Sequence, residues 1–155
     1  MRATLLAATI AAAALGLSAS PGVAQDNADQ QLGTVHFATS CNEPAQRRFD
    51  RAMRYQHSFW YKQSREIFEE TLKADPDCGI AYWGIALSLW NNPHFPPPAP
   101  NLAPALAAIE KAKAVGAKSE RERDYINALA VLYTDYESNS DRPELAAARR
   151  FLASN

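Results

Sequence analysis

A chain of 155 residues with 47% hydrophobic residues and a formal net charge of −1 has material for one small domain. Its 16 basic and 17 acidic side chains exclude bulk charge as a basis for holding nucleic acid or an anionic membrane. Two cysteines are too few for a disulfide-rich miniature fold.

Met1 and Arg2 make a short basic start, followed by an apolar, alanine-rich run over 3–17 and by Pro21, Gly22, Val23 and Ala24. That order predicts a secretory signal peptide over 1–24, cleaved after Ala24. The rival reading is a membrane anchor, but the run falls short of the roughly 20 residues that span a bilayer. An exported protein, periplasmic or secreted and with no membrane insertion after cleavage, is expected. Residues 25–41 read as a mobile leader ending in a short extended segment around Val35, His36 and Phe37.

Asn42 or Glu43 should start the first helix, with Pro44 in its first turn. Phe49, Ala52, Met53, Gln56 and Trp60 follow at helical spacing, while Arg47, Arg51 and Arg54 take another face. A second helix over about 61–74 must stop near Asp75, because Pro76 disfavours helical backbone at the residue before it. Asp77 is expected to cap a third helix, from Cys78 to about Trp90, which is apolar almost all round and so should be covered on several sides. Pro93, Pro96, Pro97, Pro98 and Pro100 then predict a stiff loop. The fourth helix is expected over 102–115, carrying Leu106, Ile109 and small alanines, with Gly116 as its C-terminal cap. Ser119 and Glu122 form a capping box for the fifth, reaching about Tyr136, and Asp141-Arg142-Pro143 opens a sixth. The fold class is all-α, with helices in short-looped pairs over about 42–77, 78–117 and 118–155.

Tyr55, Tyr61, Phe68 and Pro76, followed by Tyr82, Ile85 and Ala86, match the tetratricopeptide pattern of about 34 residues. The stretches His57-Ser58-Phe59-Trp60-Tyr61, Asp75-Pro76-Asp77-Cys78, Ala81-Tyr82-Trp83-Gly84-Ile85-Ala86 and Glu120-Arg121-Glu122-Arg123-Asp124-Tyr125-Ile126 resemble a family of exported bacterial tetratricopeptide-repeat proteins. Ser64, Arg48 and Arg51 depart from the repeat pattern, and the second repeat carries the proline-rich insertion. Family members are usually longer, so the chain is expected to be a fragment or a truncated form. The resemblance implies an α-solenoid of about three antiparallel pairs whose first helices line a concave surface. Met53, Gln56, His57, Trp83, Leu87, Trp90 and Asn91 would then face a peptide-binding groove, continued by Val131, Thr134 and Asp135. The proline-rich loop would either shape that groove or block it.

Cys41 and Cys78 sit where the starts of the first and third helices meet in such a stack. An exported protein with this pair should join them, two free thiols or a metal pair being the other readings. The histidines His36, His57 and His94 include no pair at metal-ligating spacing on one helix turn, although His57 and His94 facing across a groove would suit a metal. Arg47, Arg48, Arg51 and Arg54 would receive a peptide carboxylate or simply be a solvated face. No Ser-His-Asp order, nucleophile elbow, phosphate loop or dinucleotide fingerprint occurs, so no catalytic residue and no cofactor is expected. The reading is a non-enzymatic scaffold for a protein or peptide segment. The alternatives are a metal- or cofactor-binding protein using His57, His94 and the thiols, or a structural repeat that self-associates through an uncapped C-terminal helix.

Overall fold

A computed structural model describes residues 31–134, which hold five helices and no strand. They are α1 (Glu43–His57), α2 (Tyr61–Ala74), α3 (Gly79–Trp90), α4 (Ala99–Val115) and α5 (Glu120–Tyr133). The expected signal peptide, most of the leader, Asp135 and the sixth helix lie outside the described residues.

Local chemistry accounts for most of the boundaries. Asn42 caps α1, its Oδ1 accepting the Ala45 N–H at 2.9 Å, and Pro44 occupies the first turn. Asn42 also joins the two ends of the first pair. Its backbone N–H donates to Asp75 Oδ2 at 2.7 Å and its Nδ2 to the Ala74 carbonyl at 2.9 Å. The second pair is joined in the same manner, Asn101 Nδ2 donating to the Leu89 carbonyl at 2.8 Å. Ser119 and Glu122 form the expected capping box at α5.

Two boundary details differ from expectation. The N-cap of α3 is Cys78 and not Asp77, with no side-chain cap bond. The Asp77 N–H instead donates to Asp75 Oδ1, so this turn is closed by the aspartate before Pro76. Helix α4 starts earlier than expected, at Ala99, because Pro98 and Pro100 fall at positions whose N–H groups have no helical partner anyway. It buries Ala105, Ala108, Ile109 and Ala112 and leaves Leu106 exposed.

Each helix packs on the one after it, and α3 also meets α1 and α5. This is the neighbour-to-neighbour contact pattern of a helical repeat. Two glycines set the separations. A Cβ at Gly79 would fall 1.8 Å from the Gly116 carbonyl oxygen, and one at Gly84 would fall 2.5 Å from the Phe68 ring. Helix α3 is therefore pressed against its neighbours on both sides, as its apolar circumference required. None of the described helices is long and apolar enough to cross a membrane.

Candidate functional site

Three first-of-pair helices, α1, α3 and α5, present Phe49, Trp83 and Tyr125 to one another, and the space between them is filled by Phe37. Its ring centroid lies 5.5 Å from that of Phe49, 6.1 Å from that of Trp83 and 5.1 Å from that of Tyr125. Arg121 stacks over the outer face of Phe37 at 4.2 Å. Phe37 is 9% exposed although it belongs to a segment that is neither helix nor strand.

The segment is held by its main chain. The Phe37 N–H donates to Asp50 Oδ1 at 3.0 Å and the Thr39 N–H to Gln46 Oε1 at 2.7 Å. Gln46 Nε2 returns a bond to the Phe37 carbonyl at 2.9 Å. The Ser40 N–H and Oγ–H donate to the two carboxylate oxygens of Glu122, at 2.7 and 2.6 Å. Glu122 is 1% exposed, so this carboxylate is spent wholly on Ser40 and on the cap of α5. The segment thus bonds to the first helix and crosses to the fifth.

Phe37 as a plug and Glu122 as its anchor were not anticipated. The available signal was a phenylalanine following Leu32 and Val35 near the end of the leader, which does not say where its ring goes. Burial raises the Tyr125 phenol above its ordinary value, opposed by the charge of Arg121. Burial also raises Tyr133, whose hydroxyl donates to the Ala86 carbonyl at 2.9 Å, and Tyr61.

The residues expected to line an open groove are mostly core. Trp83 is 3% exposed, under Phe37 and against Tyr125 at 5.4 Å. Its indole Nε1 is buried with no hydrogen-bond partner. Trp90 packs edge-on against Tyr133 at 5.1 Å, and Met53 is buried in the same core. Gln56 is buried because its Oε1 accepts from Ser88 Oγ at 2.9 Å, a bond that ties α1 to α3. Leu87 is partly buried and Asn91 is half-exposed, while His57, Val131 and Thr134 are exposed. These tryptophans, Met53 and Gln56 are thus packing residues and not exposed anchors, since the partner that covers them comes from the chain itself.

Cys41 and Cys78 form a disulfide with a Cα–Cα distance of 5.0 Å. The thiols are therefore unavailable to a metal, and among the described residues no group of three or more His, Cys, Asp or Glu is placed to hold one. His57 and His94 are both exposed, and His36 pairs with Asp50 at 2.8 Å. The arginine cluster is engaged within its own helix. Arg47 pairs with Glu43, Arg48 donates to the Pro44 carbonyl at 2.9 Å, and Arg51 stacks over Tyr55 at 5.7 Å. Arg54 lies in the last turn of α1, where its charge complements the helix dipole.

A second aromatic surface is open. The α1–α2 turn and the start of α2 contribute Phe59, Trp60, Tyr61, Lys62 and Gln63, and the end of α3 contributes Asn91 and Asn92, to a shallow depression of about 550 Å³. Phe59 is 65% and Trp60 46% exposed. Both non-glycine residues with left-handed backbone among the described residues line it, Phe59 at φ 64° and Asn91 at φ 66°. A bulky side chain there is strained by about 1–2 kcal/mol.

Comparison of the chain with protein families, with characterised proteins and with solved structures gives no match.

Proposed function

We propose that this protein is a non-enzymatic scaffold that holds a short peptide segment of a protein partner against the first helices of stacked, tetratricopeptide-like pairs. The observation that carries this reading is how the chain treats its own residues 37–40. Side chains of α1 and α5 bond three backbone N–H groups, and an aromatic cavity receives one ring. Main-chain bonding with one side-chain anchor is a general way to hold a peptide. The unpartnered Trp83 N–H offers a foreign segment a bond that the resident one leaves unmade.

The resident segment competes from a short tether, at an effective concentration on the order of millimolar. A partner must therefore offer an aromatic residue and a matching run of backbone. Export to the periplasm or beyond the cell belongs to the same reading. It is supported by the signal-like pattern over 1–24 and by a disulfide of the kind that persists in oxidising compartments.

The test is a fluorescent peptide copying residues 33–40, titrated into wild type and into Phe37→Ala, with helicity checked by circular dichroism. The peptide should bind the folded variant and leave the wild type unlabelled. A folded variant that binds neither this peptide nor any member of a random aromatic-containing library would overturn the reading.

A further inference from the structure

The resident segment is held by more than its ring and its main chain. Two of its hydroxyl groups are bonded as well, each by the side chain that also takes the N–H of the same residue. Gln46 Oε1 accepts from Thr39 Oγ1–H at 2.7 Å in addition to the Thr39 N–H. Gln46 Nε2 is spent on the Phe37 carbonyl and on Asp50 Oδ1, at 2.9 and 2.8 Å, which fixes the direction of the amide. Glu122 is held more firmly still. One carboxylate oxygen takes the Ser40 N–H, and the other takes Ser40 Oγ–H and, at 3.4 Å, the Ser119 N–H of the helix cap. At 1% exposure Glu122 is shielded from the solvent that would replace a lost donor. Ala38, which lies between the ring and the two hydroxyl residues, is exposed.

We infer that the site reads its partner segment for hydroxyl groups: an aromatic residue, any residue, then serine or threonine at the next two positions. Glu122 is the specificity-determining residue. The inference rests on the peptide-holding function proposed above and names the sequence class which that function selects. Alanine at the last position would leave one oxygen of a buried carboxylate with only the long bond from Ser119. A site built to bond a hydroxyl rejects the analogue that lacks it far more strongly than an apolar pocket rejects a missing methylene. An acidic or phosphorylated residue there would set a second negative charge against Glu122 and offer no hydroxyl proton. The position equivalent to Thr39 is read less strictly, because Gln46 is neutral and only partly buried.

The test uses the full chain carrying Phe37→Ala, Thr39→Ala and Ser40→Ala, which clears the resident side chains from the ring cavity and from both hydroxyl positions. The probe is a fluorescent peptide of residues 33–40, compared with versions carrying Ser40→Ala, Thr39→Ala or a phosphate on Ser40. The parent peptide should bind. The Ser40→Ala peptide should bind at least roughly tenfold more weakly, the Thr39→Ala peptide about threefold more weakly, and the phosphorylated one not measurably. Adding Glu122→Gln to the receiving chain should shrink the penalty for the Ser40→Ala peptide, which a merely structural role for Glu122 would leave unchanged. Where the triple variant fails to fold, the native leader supplies the measurement. Ser40→Ala alone should speed amide exchange at Phe37 and Thr39 at least roughly tenfold, while Ala38→Ser leaves it as in wild type. Hydroxyl-free peptides that bind as tightly as the parent overturn the inference and leave the peptide-holding reading standing, and unchanged exchange in Ser40→Ala does the same. A folded receiving chain that binds neither the parent nor any other aromatic-containing peptide overturns that reading itself.

Discussion

Trp83 and Trp60 belong to the same short stack of helices, yet one is 3% and the other 46% exposed. The difference does not come from residue type or from helix periodicity. Trp83 is covered because residues 37–40 cross from α1 to α5 and are bonded at both ends. Trp60 sits in the turn between α1 and α2, packed on one side by Tyr55 at 5.7 Å and open on the other. An aromatic face on a repeat becomes core or surface according to what the rest of the chain lays over it. The covered face contributes to folding, whereas the uncovered one meets solvent.

Four variants probe that contrast, beginning with the largest effect. Replacing Cys41 and Cys78 together by alanine should lower unfolding stability by about 4 kcal/mol, since the bond closes a loop with a sequence separation of 37. Urea denaturation with and without reductant measures it, wild type under reductant matching the variant. The bond fixes the chain immediately after Ser40, so the covered face should also loosen.

Phe37→Ala removes the plug itself and should cost about 3 kcal/mol. In the folded variant a neutral quencher should reach Trp83 while quenching of Trp60 stays as in wild type. Equal quenching of Trp83 in both chains would mean that something else covers this face.

Glu122→Gln keeps the shape and removes the charge that receives two donors from Ser40. A loss of about 2 kcal/mol is expected by thermal unfolding, with faster amide exchange at Ser40. The smallest effect lies on the open side. Phe59→Gly relieves left-handed backbone and should raise stability by about 0.5 kcal/mol. A loss above 1 kcal/mol there would show that the turn depends on its phenylalanine for folding, and the contrast between the two surfaces would weaken.

Much of the helical layout was legible in the residues, and for a local reason. The span of α2, the start of α1 at Asn42 or Glu43, the Ser119–Glu122 box and the stop before Pro76 all depend on bonds within a turn or so of helix. Helix α4 starts at Ala99 and not at 102 because Pro100 is tolerated in its first turn, although Pro104 also lies inside the helix. The candidate site was much less legible. Gln56 was expected to face a groove, and only Ser88, 32 residues away in sequence, makes it a buried link.

From its sequence alone this chain is all-α with paired helices and one well-placed pair of cysteines, because capping, proline geometry and helical spacing act over a few neighbouring residues. Which aromatic side chains became core was decided by contacts such as Ser40 with Glu122, separated by 82 positions. No periodicity encodes such a contact. The tertiary structure, by bringing the leader across three helices, settled that Trp83 is covered and left Trp60 in the open.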